Sequence, residues 1–354
     1  MLRGRRVRRS TSLRQAAWGA VLFGTLGCFD APRSAPQRVQ HGDDLTPHAR
    51  SDARSSTDAV IVVVLDGARW QDVLVGVDPS LGTLAPSEVV PAERLMPTLH
   101  AMMSRGIVVG EPERGEPMQA SGPNFISLPG YNEIFSGRTP AWCADNDCLP
   151  TQQTTIVDEV RARRGQAGVF SSWAPIARAA ARSPGDVVLS TGMPGTEEFR
   201  PDHDTAVAGL AYLVRKEPQF LFLGLGEPDE FAHQGDYRGY LGSLQRADAI
   251  LADLQLTLAS MGDRGRRTSV FVTCDHGRGL DFRNHGAAWP ESARVWLVAA
   301  GGSIPARGAV VSKTGHRLRD IAPSIRVLLG LPPDPSPDAG QPLLALLPRG
   351  LDDR

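Results

Sequence analysis

Three near-continuous apolar runs stand out along the chain, and polar residues follow each of them. They are DAVIVVVLDG at 58–67, QFLFLGLGE at 219–227 and TSVFVTCDHG at 268–277. Runs that are rich in β-branched residues and lack polar alternation are typical of strands buried on both faces of a parallel sheet. Two shorter runs, AGVFSS at 167–172 and ARVWLVAAGG at 293–302, predict further strands.

Segments with apolar residues at helical spacing lie between these runs, and a glycine ends most of them, as is common after a helix. They cover 97–106, 127–137, 154–165, 206–218, 240–262 and 321–330. Strands that alternate with helices predict an α/β fold, in which a mostly parallel central sheet carries helices on both faces. The expected architecture is therefore a three-layer α/β/α sandwich.

The first 57 residues follow a different pattern. Residues 1–15 are basic, and an apolar run ends at Cys28. With about 13 residues, this run is shorter than the roughly 20 that a membrane-spanning helix needs. The pattern predicts an export signal over 1–28, with a lipid on Cys28 that anchors the protein to a membrane; a plain signal peptide with an incidental cysteine is the alternative. The polar residues 29–57 are predicted to form a linker, and one folded domain should cover 58–346.

Composition limits the function classes. The chain has 354 residues, 41% of them hydrophobic, which suits one large α/β domain. A net charge of −1 gives no reason to expect nucleic-acid binding. The sequence contains no Walker loop, GxSxG elbow, HExxH motif or zinc-finger cysteine pairs, which excludes several enzyme classes. In an exported protein Cys143 and Cys148 could form a disulfide, whereas Cys274 is expected to be a small buried residue.

Carboxylates and histidines occur where the three buried runs end. Asp66 follows the first run, Asp229 and His233 follow the second four residues apart, and Asp275 and His276 follow the third. The carboxyl ends of parallel strands meet at one edge of a sheet. A carboxylate–imidazole pair directly after a buried strand is costly unless it is solvated, paired or bound to metal. The set predicts a divalent-metal centre, for which Zn²⁺ is the best candidate and Mn²⁺ the next.

Two further residues complete the candidate site. His285 is preferred as a ligand because it follows Asp275 and His276 closely, and His316 is its rival. Ser127 lies at the start of the predicted helix 127–137. There a cation would lower the pKa of its hydroxyl, and the helix N-terminus would favour the charge that develops. A simple N-cap serine is the alternative interpretation of Ser127, and His203 is expected to lie in a solvated loop.

The order of these segments resembles the alkaline phosphatase superfamily, particularly its phosphodiesterase and nucleotide pyrophosphatase branch. In that superfamily an Asp ends the first strand, a Thr or Ser nucleophile begins a short helix that ends in Ser/Thr-Gly, and Asp-x-x-x-His and Asp-His-Gly motifs follow later strands. The resemblance covers roughly 58–330 and implies an alkaline phosphatase-like catalytic domain. The matching positions here are Asp66, Ser127, Asp229, His233, Asp275, His276 and His285.

The resemblance also implies a division of labour between two divalent cations. The first would be bound by Asp66, Ser127, Asp275 and His276, and the second by Asp229, His233 and His285. The diesterase branch has an Asn that donates a hydrogen bond to a phosphate oxygen. Asn146 is the best match to it, and Asn124 is the alternative.

The activity that the resemblance implies is hydrolysis of small-molecule phosphate diesters or monoesters through a phosphoseryl intermediate on Ser127. The sulfatase motif Cys-x-Pro-x-Arg is incomplete, because Tyr131 stands at its arginine position, and this argues against sulfate esters. The alternatives are a phosphoryl transferase or mutase with the same centre, and a surface binding protein that retains the fold. Specificity is expected to depend on loops such as 70–96 and 107–124.

Overall fold

The centre of the fold is a twisted sheet with the strand order β10-β2-β9-β7-β1-β6-β4-β5. The computed structural model describes residues 57–348 except 184, 186, 197, 312 and 313, so the predicted signal and Cys28 lie outside the described residues, as does nearly all of the predicted linker. Only β9 runs antiparallel to its neighbours in this sheet, among the described strands. The predicted α/β class with a mostly parallel central sheet is therefore confirmed.

The described strands are β1 Ala59–Leu65, β2 Gly106–Val109, β3 Met118–Gln119, β4 Ala167–Ser171, β5 Val188–Thr191, β6 Phe220–Leu225, β7 Thr268–Thr273, β8 Arg294–Val295, β9 Leu297–Gly301, β10 Gly308–Ala309 and β11 His316–Arg317. The described α-helices are α1 Trp70–Leu74, α2 Ala92–Leu95, α3 Pro97–Ser104, α4 Ser127–Ser136, α5 Ile156–Ala162, α6 Ala177–Ala180, α7 Asp202–Lys216, α8 Glu227–Gln234, α9 Tyr237–Ser260, α10 Asp263–Arg266 and α11 Ile321–Leu329. No helix among these residues is long and apolar enough to cross a membrane.

Helices cover both faces of the sheet because successive strand side chains point to opposite sides. Phe222 of β6 packs against the rings of Tyr131 and Phe135 in α4. The next residue, Leu223, lies on the other face against Gly209 of α7, where a Cβ would come within 2.3 Å of it. The continuous apolar runs predicted this arrangement, since β1, β6 and β7 are buried along their whole length.

Three predictions need correction. The run 293–302 is two strands: Arg294–Val295 joins a small sheet of order β11-β3-β8, and Leu297–Gly301 enters the main sheet. Strand β2 was not predicted; it begins at Gly106, the residue that was expected only to end a helix. Helix α7 begins at Asp202, so His203 lies in its first turn rather than in a loop. The start of the helix is held by the buried carboxylate of Asp202, which accepts hydrogen bonds from Ser172, Gly226 and Glu227.

Candidate metal centre

Adjacent strands carry the candidate ligands to one edge of the sheet. Strand β1 lies between β6 and β7, and its residue Val64 is in register with Thr273 of β7. Asp66 and Asp275 therefore come off neighbouring strands at nearly the same height. The backbone N–H of Gly67 donates to Asp275 Oδ1 at 3.1 Å, which joins the two strand ends directly.

The first ligand group consists of Asp66, Asp275 and His276. His276 Nε2 lies 3.5 Å from Asp66 Oδ1 and 3.5 Å from Asp275 Oδ2. The three side chains are buried, and Asp275 Oδ2 has no hydrogen-bond partner among the described residues. An unpartnered buried carboxylate oxygen is costly, so a cation between these atoms fits the chemistry of the group.

Hydrogen bonds turn one donor atom of each first-group ligand toward the common centre. The phenol of Tyr131 donates to Asp66 Oδ2 at 2.8 Å and leaves Oδ1 facing His276. His276 Nδ1 lies 2.9 Å from the carbonyl oxygen of Gly277 and donates to it. The Nε2 lone pair of His276 then remains available, which is the tautomer that a metal ligand needs.

The second ligand group consists of Asp229, His233 and His285. Asp229 and His233 share a face of α8, and His233 Nε2 lies 3.1 Å from Asp229 Oδ2. His285 Nδ1 donates to the carbonyl of Phe125 at 3.0 Å, so its Nε2 is an acceptor, and that atom lies 3.1 Å from His233 Nε2. Two imidazole nitrogens at this separation match neighbouring corners of a tetrahedral zinc site, where Zn–N bonds are about 2.0–2.1 Å.

The two groups are adjacent. Ligand atoms of Asp229, His276 and His285 lie within 4.8 Å of one another. The ring of His276 stacks on that of His285, with centroids 3.9 Å apart. Neighbouring groups of this kind suit two cations that together clamp the attacking and leaving oxygens of a displacement.

Arg278 is a charged partner of the second group. Its guanidinium is fully buried and pairs with Asp229 Oδ1 and with the backbone carbonyl of Asp229. Asp229 Oδ2 is left to face His233. A permanent positive charge on one side of this carboxylate reduces its net charge, so the second group should attract a cation less strongly than the first.

Electrostatics of the metal-free centre favour bound protons. Burial raises the pKa of Asp275, and the nearby carboxylate of Asp66 raises it further. Burial by itself lowers the pKa of His276, but Asp275 and Asp66 outweigh it and raise that pKa above its ordinary value. Burial, and then the positive charge on His276, lower the pKa of His285, which stays neutral. A cation that binds here replaces protons, as metals generally do at such sites.

Ser127 is the first residue of α4 and lies beside the first group. Its Oγ is 3.4 Å from Asp66 Oδ1 and 3.3 Å from His276 Nε2. The N-cap of α4 is Ile126, which makes no side-chain cap, so the interpretation of Ser127 as an N-cap serine is wrong. A Cβ at Gly130 would come within 2.4 Å of the Asp275 carbonyl oxygen, and the helix therefore touches the end of β7 directly.

A cavity of about 180 Å³ opens over the two groups. Asn146 lines it, and its Oδ1 accepts a hydrogen bond from the N–H of Leu128 at 2.9 Å, while a disulfide joins Cys143 and Cys148 around it. Asn124 instead lines a different cavity, beside Glu133. The geometry thus brings Asn146, and not Asn124, to Ser127.

Other expectations about the site differ from the structure. His316 lies in strand β11 of the small sheet and belongs to neither ligand group. The cavity over the metal centre is lined by Trp173, Phe199 and Glu230 rather than by loops 70–96 and 107–124. These loops cover other parts of the fold because the chain between β4 and α8 passes closer to the centre.

Sequence reasoning missed five residues that contact the centre or its cavity: Tyr131, Trp173, Phe199, Glu230 and Arg278. Two of them carried a usable signal. Tyr131 follows Ser127 by four residues in a predicted helix, so both had to lie on one face. Arg278 follows Asp275-His276-Gly277 directly. Glu230 lies between Asp229 and His233, but nothing in its position showed that it lines the cavity, and Trp173 and Phe199 lie far from the motifs in sequence.

Solved structures share this architecture. A 2-O GAG sulfatase superposes with a TM-score of 0.60 at 16% identity, over 82% of this chain and 74% of the sulfatase. The phosphonate monoester hydrolase of Agrobacterium radiobacter superposes with a TM-score of 0.57 at 15% identity, over 83% of this chain and 78% of the hydrolase. The chain has the alkaline phosphatase-like fold. The resemblance seen in the sequence is confirmed at the level of the fold.

Curated relatives match a shorter stretch of this alkaline phosphatase-like chain. The 2,3-bisphosphoglycerate-independent phosphoglycerate mutase of Synechococcus sp. (strain JA-3-3Ab) is 29% identical over 154 residues, which is 40% of this chain and 26% of the mutase. The same enzyme of strain JA-2-3B'a(2-13) is 27% identical over 145 residues. The chain thus matches about a quarter of the length of these relatives. No protein-family model matches the chain.

Proposed function

We propose that this protein is a metal-dependent hydrolase of phosphate diesters or monoesters, with Ser127 as its nucleophile. The observation that supports the proposal best is the position of Ser127 Oγ, 3.4 Å from Asp66 and 3.3 Å from His276. A serine hydroxyl is a weak nucleophile unless a base or a cation activates it. Beside Ser127, the first ligand group provides a place for such a cation.

Two divalent cations, Zn²⁺ or else Mn²⁺, would be held by the two ligand groups. When bound, they would lower the pKa of the Ser127 hydroxyl and neutralise charge on the phosphate. Ser127 Oγ then forms a bond to phosphorus while the bond from phosphorus to the leaving oxygen breaks. Water later cleaves the phosphoseryl bond and restores the hydroxyl. Asn146 has its Oδ1 engaged by Leu128, so its Nδ2 remains to donate to a phosphate oxygen.

Phosphoryl transfer to an alcohol is the second candidate function. It is favoured by the sequence similarity to 2,3-bisphosphoglycerate-independent phosphoglycerate mutases, since a mutase moves a group rather than releasing it. The two activities share the step on Ser127 and differ in the acceptor that follows. Tyr131 at the position of the sulfatase arginine argues against sulfate ester hydrolysis, although sulfatases share the fold.

We further propose that the protein acts outside the cytoplasm, at a membrane, through a lipid on Cys28. The disulfide between Cys143 and Cys148 supports export, because disulfides persist in oxidising compartments. A small-molecule phosphate ester is the proposed partner of the site. A net charge of −1 gives no support to nucleic-acid binding.

The experiment is a panel of chromogenic phosphate monoesters, phosphate diesters and a sulfate ester, with protein loaded with Zn²⁺ or Mn²⁺. Ser127→Ala should lose several orders of magnitude in kcat while keeping its melting temperature within a few degrees. Ser136→Ala, at the other end of the same helix, is the matched control and should keep its rate. A Ser127→Ala protein that folds and turns over at the wild-type rate would reject the nucleophile.

Product analysis separates hydrolysis from transfer. With a phosphate ester and an excess of a simple alcohol, a hydrolase releases inorganic phosphate or a monoester. A transferase gives the new ester of the added alcohol as its main product. Loss of both products in Ser127→Ala would tie either activity to the same centre.

A further inference from the structure

The cavity over the metal centre has an outer wall that the metal ligands do not account for. We define this outer wall as Trp173, Phe199 and Glu230, which line the cavity together with Ser127 and Asp229. The two aromatic side chains are partly exposed and Glu230 is exposed. Aromatic side chains together with a few polar groups are the typical lining of a small-molecule pocket.

Phe199 is held in place by a buried arginine. Arg200 is 5% exposed, and its Nη2 donates to the carbonyl oxygens of Ser171 at 3.0 Å and Ser190 at 2.7 Å. The ring of Phe199 packs on Gly226, where a Cβ would come within 2.7 Å of it. The ring therefore has a fixed support at the start of α8, the helix that carries Asp229.

A second set of hydrogen bonds joins the backbone next to Trp173 to the start of the same helix. The backbone N–H of Trp173 donates to Ser171 Oγ at 3.1 Å, and the hydroxyl of the intervening Ser172 donates to Asp202 at 2.5 Å. Asp202 in turn accepts a hydrogen bond from Gly226 N–H at 2.8 Å. Buried polar networks of this kind fix the groups they support, so the outer wall is built before any ligand arrives.

Glu230 is the charged member of the outer wall. Its carboxylate makes no hydrogen bond and no ion pair with another described residue, whereas its helix neighbour Asp229 is paired with Arg278 and His233. It follows Asp229 on α8, the helix that carries Asp229 and His233 of the second ligand group, whereas Ser127 lies beside the first group. Two cations that clamp an in-line displacement hold the attacking oxygen at one group and the leaving oxygen at the other, so the leaving group would lie on the side of Glu230.

We propose that the outer wall binds a cationic nitrogen on the leaving group, so that the enzyme acts on phosphate esters of ammonium alcohols. The inference rests on the proposed phosphate ester chemistry at Ser127. The faces of Trp173 and Phe199 attract an alkylammonium ion, and Glu230 supplies the opposite charge. A neutral aryl group would pack on the rings equally well but would cover the charge of Glu230 without pairing it. An anionic leaving group would be repelled.

The reaction then balances simply. The Ser127 hydroxyl gives up its proton to water as Oγ bonds to phosphorus, the bond from phosphorus to the alcohol oxygen breaks, and that oxygen takes a proton from water. The ammonium alcohol leaves, and water releases phosphate from Ser127. No oxidant or further co-reactant takes part.

Two isosteric substrates test the proposal on the Zn²⁺-loaded full chain. They are the phosphate monoesters of 2-(trimethylammonio)ethanol and of 3,3-dimethylbutanol, which differ only in the charged nitrogen, and the methyl diesters of both alcohols serve if monoesters are poor substrates. Release of the alcohol gives kcat and KM for each. The wild type should prefer the charged ester by roughly ten-fold or more in kcat/KM, mostly through KM.

The variants locate the preference. Glu230→Gln should reduce the ratio of the two kcat/KM values to about one- to three-fold, and Trp173→Leu should reduce it as well. Glu198→Gln removes a carboxylate from the loop next to Phe199 that does not line the cavity, and it should keep the wild-type ratio. p-Nitrophenyl phosphate carries no ammonium group, and Glu198→Gln should turn it over at the wild-type rate.

The possible outcomes distinguish failure of the ammonium site from failure of the proposed hydrolase function. A wild-type ratio near one, with normal turnover of p-nitrophenyl esters, overturns the ammonium site and leaves the proposed function intact. A preference for the neutral ester does the same and indicates an apolar or aryl leaving group. A charge preference that survives Glu230→Gln and Trp173→Leu also overturns the assignment to this wall. If no phosphate ester is turned over at all, the proposed function itself fails.

Discussion

Tyr131 provides the sharpest test of how the first ligand group is built. Its phenol donates to Asp66 Oδ2 at 2.8 Å, one helical turn after Ser127. Tyr131→Phe removes this donor and almost no volume. Asp66 can then rotate, and its Oδ1 is no longer fixed toward His276 before a cation binds. The variant should therefore bind its first cation more weakly while keeping the fold.

The size of the effect follows from burial. Tyr131 is 0% exposed and Asp66 is 3% exposed, so water cannot replace the lost donor. A hydrogen bond to a charged group contributes about 1.5–3 kcal/mol. A tenfold change in an equilibrium constant corresponds to about 1.4 kcal/mol, so the affinity for the first cation should fall about 10- to 100-fold.

Competition with a chromogenic chelator, at constant pH and ionic strength, measures this affinity without relying on turnover. The matched control is Tyr212→Phe. Tyr212 donates to the neutral backbone carbonyl of Ala167 at 3.1 Å, on α7 against β4, and touches neither ligand group. It should lose only about 1 kcal/mol of stability and no cation affinity. Equal affinities for the two variants would refute the view that Asp66 needs its second oxygen held.

Four further predictions concern the cations, the proton on Asp275, the phosphate contact and the location. Chelation should lower the melting temperature by about 10 °C, since a cation at 1,000 times its Kd adds about 4 kcal/mol; an unchanged melt would argue against bound metal. In the metal-free protein, the free energy of unfolding should fall as pH rises above 3.8. Burial and Asp66 raise the pKa of Asp275, so the native state keeps a proton that the unfolded chain has released. Denaturant titrations at several pH values should show a weaker pH dependence in Asp275→Asn, and an identical pH dependence in the two proteins contradicts the prediction. Asn146→Ala should lower kcat/KM by about 1.5–3 kcal/mol of transition-state stabilisation and Asn124→Ala should not, and the reverse result would exchange their roles. Full-length protein should fractionate with membranes and Cys28→Ser should release it; association that survives the substitution rejects the lipid anchor.

The fold was predictable where a buried strand has no polar alternation. Strands β1, β6 and β7 are apolar on both faces, so their burial between two helix layers could be predicted from composition alone. The reversal of β9 was not predictable, because Leu297–Gly301 pairs with strands distant in sequence, and periodicity carries no direction. The four-residue strand β2 was too short to show a pattern of its own.

The candidate ligands were predictable because the motifs, although separate in sequence, follow strands that are neighbours in the sheet. Asp66 and Asp275 had to meet once β1 and β7 were parallel neighbours. The outer wall was not predictable, since Trp173 and Phe199 reach the cavity from two separate loops, after β4 and after β5, that are joined by the buried hydrogen bonds of Arg200 and Asp202. Such polar networks join residues that are far apart in the sequence, and they produce no periodic pattern of polar and apolar residues.

The contact of Gly130 with the carbonyl oxygen of Asp275 fixes how closely α4, which begins at Ser127, approaches the end of β7. A methyl group at position 130 would come within 2.4 Å of that oxygen and wedge the first turn of α4 outward. Because this contact involves backbone atoms, the distance between the first turn of α4 and the end of β7 does not depend on side-chain rotamers, whereas the position of Ser127 Oγ also depends on the rotamer of Ser127 itself.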